Sequence, residues 1–229
     1  MVFDLDGTIV DTEIVEYDSV RLVWEDHGHT YPAARFVEVI GTTDSPPWID
    51  ELELALGEVV DRDHVEHRRR EYKRALLAEL QPRPGIVALI DAATALGIPL
   101  GVASNSPLSW IERRLADVGL GECFGALLAL DVSSAPKPDP APYLEACLAL
   151  GADPAETVAF EDSQPGVRAA VDAGCFTVAC PGPLTAGHDL SHAHRMVATH
   201  AEVTIDLLAE WLDREERAPW LGSAAGGSA

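Results

Sequence analysis

The chain has 229 residues, 47% of them hydrophobic, enough for one sizeable core and too apolar for wholesale disorder. Lysine and arginine number 16 against 38 aspartates and glutamates, a formal net charge of -22. A surface this acidic repels phosphate backbones and anionic lipid, which sets aside nucleic acid and membrane as partners; a small anionic substrate stays open, because a local group of cations can outweigh the global field.

The opening MVFDL reads as a short buried strand, with only three residues ahead of Asp4. Asp4 and Asp6 interrupt any basic-then-apolar leader pattern, and no run reaches the roughly 18 apolar residues of a membrane span, so a cytoplasmic protein is expected. Residues 13–81 are polar and helical in pattern. Tyr17, Val20, Val23 and Trp24 recur at helical spacing, and 62–80 reads as a long amphipathic helix. This stretch is expected to be a helical domain (13–81) inserted into a core made of 1–12 and 82–229, with the second crossing at the proline-rich QPRPG. Four more apolar runs follow at 98–104, 124–130, 157–162 and 175–180. Most are continuous rather than alternating, as in a parallel sheet covered on both faces. Helical patterns at 85–96, 107–118, 140–150 and 164–173 lie between them, several ending at a glycine. The rhythm predicts an α/β, doubly wound parallel-sheet core with an inserted helical domain. Cys123, Cys147, Cys175 and Cys180 lack CxxC spacing and read as buried free thiols. His64, His67 and Arg68–Arg70 read as a solvated helix face, and the terminal GSAAGGSA is assigned no structure.

In an open α/β sheet, ligands bind beyond the carboxyl ends of the strands. Asp4 ends the first strand and Asp6 lies two residues on; Gly7 permits a sharp turn, and Thr8 offers a hydroxyl and an amide to an anion. Like charges this close call for a cation, and a hard divalent ion such as Mg²⁺ takes carboxylate and phosphate oxygens. Three more signals fall at later strand ends. Ser104-Asn105-Ser106 offers a hydroxyl and amides before a helix, a phosphate seat. Lys137 is held between Pro136 and Pro138, and Glu161-Asp162 adds two carboxylates. Each alone reads more readily as a cap or a solvated loop charge; their joint order along one sheet edge points to a site.

With DLDGTIVD (4–11), ASNS (103–106), KPDPAPY (137–143) and EDSQPGVRAA (161–170) in hand, the chain resembles the haloacid dehalogenase superfamily of phosphohydrolases, in the branch of β-phosphoglucomutase and sugar-phosphate phosphatases with a small helical cap. The resemblance implies Asp4 as nucleophile, forming an aspartyl-phosphate, and Asp6 as general acid/base whose carbonyl also reaches the metal. It implies Asp162 as metal carboxylate, and Glu161 as a further ligand or a partner behind the ligands. Ser104 and the Asn105 amide would seat phosphate, and Lys137 would bridge Asp4 and the phosphoryl oxygens.

In the cap, Gly41-Thr42-Thr43-Asp44-Ser45-Pro46-Pro47-Trp48 resembles the specificity loop, with Thr42 and Thr43 as contacts; Trp48 reads either as a stacking surface or as core. The loop lacks the arginine of β-phosphoglucomutase, and the mutase's cap histidine falls at Glu16. Both favour hydrolysis over a mutase. Asp6 argues against dehalogenation, and the absence of lysine before Lys73 argues against phosphonate cleavage. The expected function is Mg²⁺-dependent hydrolysis of a small phosphate monoester. A phosphomutase and a silent phosphate-binding module are the alternatives, and monomer and homodimer both remain open.

Overall fold

The computed structural model describes residues 1–38, 40 and 47–217. The chain runs through β1 (Val2–Phe3) and then four helices, α1 (Thr12–Asp26), α2 (Ala33–Val37), α3 (Trp48–Leu56) and α4 (Arg62–Ala78). Helices and strands then alternate as α5 (Ile86–Ala95), β2 (Gly101–Ala103), α6 (Leu108–Asp117), β3 (Ala126–Leu128), α7 (Ala141–Leu150), β4 (Val158–Glu161), α8 (Gln164–Asp172) and β5 (Phe176–Ala179). An edge strand β6 (Arg195–Met196) and a helix α9 (Ile205–Arg217) close the described chain. The strands form one sheet in the order β3-β2-β1-β4-β5-β6, parallel at every pairing.

Strand alternation sorts the core by size. Phe3 on β1 and Val158 and Phe160 on β4 face one side, packed with Ile86, Leu89 and Ile90 of α5, Ile111 and Leu115 of α6 and Leu208 of α9. Phe3 and Phe160 stack with ring centroids 4.7 Å apart. Val2, Ala103 and Ala159 face the other side, where Ala146, Cys147, Ala169, Ala170 and Ala173 let α7 and α8 come close to the sheet. Cys147, Cys175 and Cys180 are buried free thiols; Cys123 is half-buried.

Three helices, α1, α4 and α8, begin at a residue whose side chain accepts from the first turn. Asp11 caps α1 by accepting from the Ile14 amide at 3.3 Å, and Asp61 caps α4 through the His64 amide at 3.1 Å. α1 and α4 pack along each other. Val20, Val23, Trp24, Tyr31, Phe36, Trp48, Leu52 and Val65 form a cluster of their own among the inserted helices. The chain leaves for them at Val10 and returns at Pro82, and the two crossings lie side by side: Val10 bridges Pro82, and the Arg83 amide donates to the Ile9 carbonyl at 2.8 Å. No described helix is long and apolar enough to cross a membrane.

Two elements escape the hydrophobic pattern. β6 is two residues long and holds an arginine, so it leaves no apolar run. α9 is amphipathic and packs Leu208, Ile205, Trp211 and Leu212 against the core.

His200 lies beneath α5, buried against the Phe160 ring, with neither ring nitrogen bonded among the described residues. Burial, with Arg83 nearby, pushes it down to about 3. The unfolded chain therefore binds a proton below about pH 6.5 that the folded chain refuses until about pH 3, so stability is lost as the pH falls through that window. Relative to His200→Phe, the wild type should lose up to about 1.4 kcal/mol per pH unit between pH 6 and pH 4 in urea unfolding. Parallel acid limbs for the two proteins would contradict it.

Candidate active site

Because every strand is parallel, all their carboxyl ends open on one edge, and the sequence-predicted residues meet there. Asp4 follows β1 directly, its amide still donating to the Phe160 carbonyl at 2.9 Å. Ser104 follows β2, its amide on the Leu128 carbonyl at 2.8 Å; Glu161 ends β4. Lys137 arrives on the loop between β3 and α7. Asn105 fixes that loop at two points: its side chain accepts from the Lys137 amide at 2.8 Å and donates to the Lys137 carbonyl at 3.1 Å.

The centre is a buried ion cluster. The Lys137 ammonium donates to Asp4 Oδ1 at 2.7 Å and to Glu161 Oε1 at 2.5 Å. Burial alone would lower the lysine's pKa; Asp4 and Glu161 outweigh it and hold the ammonium above its ordinary value. Both Glu161 oxygens are taken. Oε1 also accepts from the Tyr143 hydroxyl at 2.6 Å, and Oε2 accepts from the Asp162 amide and from the amide and hydroxyl of Ser163. Gly166, at the start of α8, clears the space: a Cβ there would stand 2.0 Å from Glu161 Oε1.

Asp4, Glu161 and Asp162 each place a carboxylate oxygen within 4.8 Å of the others. Burial drives the Asp4 and Asp162 carboxyls well above the ordinary range; for Asp4, Lys137 opposes this and the neighbouring carboxylates add to it. Three carboxylates and one ammonium leave two negative charges uncompensated. Asp4 Oδ2 is buried with no partner among the described residues. That orphaned oxygen beside Asp162 fits a divalent cation, and with Glu161 saturated the oxygens open to it come from Asp4 and Asp162. Asp162 is itself steadied by the Thr185 hydroxyl at 3.1 Å. Gly7 makes the approach possible: at φ 92° a Cβ would lie 2.2 Å from Asp162 Oδ2.

Asp6 lies differently from Asp4. Its Oδ1 accepts from the Thr12 hydroxyl at 2.5 Å and the Trp110 indole at 2.9 Å; its Oδ2 accepts from the hydroxyls of Ser106 at 2.6 Å and Ser104 at 3.2 Å. Asp4, Asp6, Ser104, Asn105 and Lys137 all line one cavity of about 1150 Å³, which α4 also borders. Glu16 lines it too, paired with Arg69 at 3.0 Å and with Lys73. Glu13 joins them; burial and the carboxylates of Asp6, Asp4 and Glu16 push it up to about 8.

Some expectations move. Thr8 is fully buried, its hydroxyl has no partner among the described residues, and it is not among the residues that line the cavity. Trp48 belongs to the core of the inserted helices, with Arg69 over its ring at 5.9 Å, rather than to the cavity wall. Thr42 and Thr43 lie outside the described residues. Sequence reasoning assigned no role to Tyr143, Trp110 or Arg83. Tyr143 stands within the quoted KPDPAPY, so its signal was present. Trp110 and Arg83 had none, because an isolated tryptophan or arginine shows its partner only in three dimensions.

Fold and site together define an α/β enzyme whose carboxylate–lysine centre sits at a parallel sheet edge below inserted helices. A family model for haloacid dehalogenase-like hydrolases matches residues 1–174, and the chain belongs to that family. YhcW of Bacillus subtilis is 33% identical over 215 residues, covering 94% of this chain and 98% of its own. The phosphorylated carbohydrates phosphatase of Thermotoga maritima is 27% identical over 93% of this chain and 99% of its own. A solved structure of CbbY from Rhodobacter sphaeroides in complex with phosphate superposes with a TM-score of 0.68 at 28% identity, over 88% of this chain and 94% of that one.

Tyr143→Phe removes one donor from the buried Glu161 carboxylate without changing the ring. It should cost about 1.5–3 kcal/mol in urea unfolding, the range for a hydrogen bond to a charged group. A change under about 0.5 kcal/mol would show that the remaining four donors suffice.

Proposed function

We propose that this chain is a Mg²⁺-dependent phosphatase acting on a small phosphate monoester through an aspartyl-phosphate. The observation that carries it is Asp4, with one oxygen fixed on Lys137, the other buried without a partner among the described residues, and its carboxylate grouped with that of Asp162. Relatives named as phosphatases of phosphorylated carbohydrates and of fructose 1-phosphate support a sugar phosphate as the ester.

Asp4 and Asp162 would hold the metal, with the Asp6 carbonyl as a third oxygen. Mg²⁺, when bound, supplies positive charge that lets an anionic carboxylate meet an anionic phosphoryl group. An Asp4 oxygen attacks phosphorus, forming a new O–P bond as the bond from phosphorus to the ester oxygen breaks. Asp6 gives its proton to the departing oxygen, and then takes one from the water that attacks the aspartyl-phosphate, releasing phosphate and restoring Asp4. Lys137 stays charged throughout and offsets the charge gathering on the phosphoryl oxygens. Ser104 and the Asn105 amide hold that group from the side of α6. Asp6 must leave its four present donors to do this work. Glu16, paired with Arg69 and Lys73, is no free base for a second transfer, which favours hydrolysis over isomerisation. The inserted helices, 13–81, act as the cap that selects the leaving group.

With p-nitrophenyl phosphate and Mg²⁺, Asp4→Asn should lose at least about a thousandfold in kcat while melting near the wild type. Turnover at wild-type rates would rule out the nucleophile. Binding is read separately from activity: magnesium chloride should raise the wild-type Tm, about 2.7 kcal/mol at 100 times Kd, and leave Asp162→Asn unmoved. Equal shifts in both proteins would place the ion elsewhere.

A further inference from the structure

The roles above use the carboxylates, Ser104, Asn105 and Lys137. The same cavity carries a further group of cations that they leave unexplained. Arg70, Lys73 and Arg74 come from one face of α4, and Arg113 and Arg114 from α6. Arg70 is answered by Glu66 at 3.2 Å and Lys73 by Glu16. Arg74 and Arg113, one on each helix, have no ion pair or hydrogen bond among the described residues. A shortage of carboxylates is not the reason, since acidic residues outnumber basic ones 38 to 16.

Arg114 makes the stronger observation. It is 3% exposed and pairs with Asp117 through Nη2 at 2.6 Å, yet its Nε and Nη1 are buried with no partner among the described residues. Its guanidinium lies over the Trp110 ring at 4.6 Å, and the Lys73 ammonium lies 4.5 Å from the same ring, so the indole gathers charge from both helices. Buried donors of a charged group are costly to leave unmade, and an anion held between Arg114 and the exposed Arg74 and Arg113 would answer them. Guanidinium forks match the paired oxygens of carboxylates and phosphates.

We propose that Arg74, Arg113 and Arg114 form a second anion subsite, so that the substrate is a phosphate monoester bearing a further oxyanion, carboxylate or phosphate, away from the reacting phosphoryl group. This rests on the phosphatase reading. The local cations draw such a ligand in against the field of a chain with a net charge of -22.

The test uses the full chain with Mg²⁺, p-nitrophenyl phosphate as reporter, and two matched pairs of competitors, so that each yields a constant whether or not it is turned over. Glucose 6-phosphate is set against 6-phosphogluconate, and fructose 6-phosphate against fructose 1,6-bisphosphate. The acid-bearing member of at least one pair should compete about tenfold or more tightly, and the pair that shows it identifies carboxylate or phosphate. Arg74→Gln with Arg113→Gln, both at exposed positions without partners, should cut the preference below about twofold. Equal competition within both pairs, or a preference untouched in the double variant, overturns the subsite alone. Failure of the wild type to hydrolyse p-nitrophenyl phosphate overturns the phosphatase reading and this inference with it.

Discussion

The Lys137 ammonium between Asp4 and Glu161 is the constraint to which the rest of the structure answers. Its partners lie 133 and 24 residues away in sequence, and all three side chains are buried. Desolvating three such charges is unfavourable unless each finds good geometry and its remaining valences are filled. Glu161 is filled by five donors, and Gly166 and Tyr143 exist at their positions in consequence. Asp4 is filled on one oxygen only. The asymmetry separates the two carboxylates: the saturated one is fixed by its partners, and the half-satisfied one has an oxygen to offer.

A parallel sheet meets this constraint with little machinery. Strands of two to four residues are enough, because each has only to deliver one side chain to the common edge. The core then has to be dense on both faces. Large residues fill the side shared by α5, α6 and α9, and alanines bring α7 and α8 close on the other. The helical insertion re-enters beside its own exit. Arg83, at that return crossing, donates to the carbonyls of Gly7, Cys180 and Pro181, so one residue holds the carboxylate turn, the end of β5 and the crossing together.

What the sequence made legible follows from where each signal lives. Buried parallel strands and glycine-terminated helices write themselves as local pattern, and they emerged as the sheet and α5 to α8. Asp4, Lys137, Glu161 and Asp162 were legible only together: each alone could cap a helix or sit solvated in a loop, and their order along one sheet edge is what marked a site. Thr8 and Trp48 were less legible: a threonine in a turn and a tryptophan after a loop carry no mark of which way they face, and of the two readings open for Trp48 the structure has the core one. β6 was too short and too polar for any periodicity. Trp110 and Arg114 belong to a single face of α6, yet their meaning depends on α4 standing opposite, which no spacing within α6 encodes.

Trp110 joins the two halves of the molecule's chemistry. Its indole N–H holds Asp6, while its ring carries Lys73 from α4 and Arg114 from α6. Any displacement of α4 that moves Lys73 changes the charge over the ring whose edge donates to Asp6. Asp6 also spends its acceptors on Thr12, at the first turn of α1, and on two serines that precede α6. A carboxylate bonded this fully is turned toward its donors. For Asp6 to serve a leaving oxygen, that oxygen must offer more than the donors it displaces, and the helices carrying Thr12 and Lys73 both belong to the insertion. Thr12 and Lys73 thus tie the surroundings of Asp6 to α1 and α4.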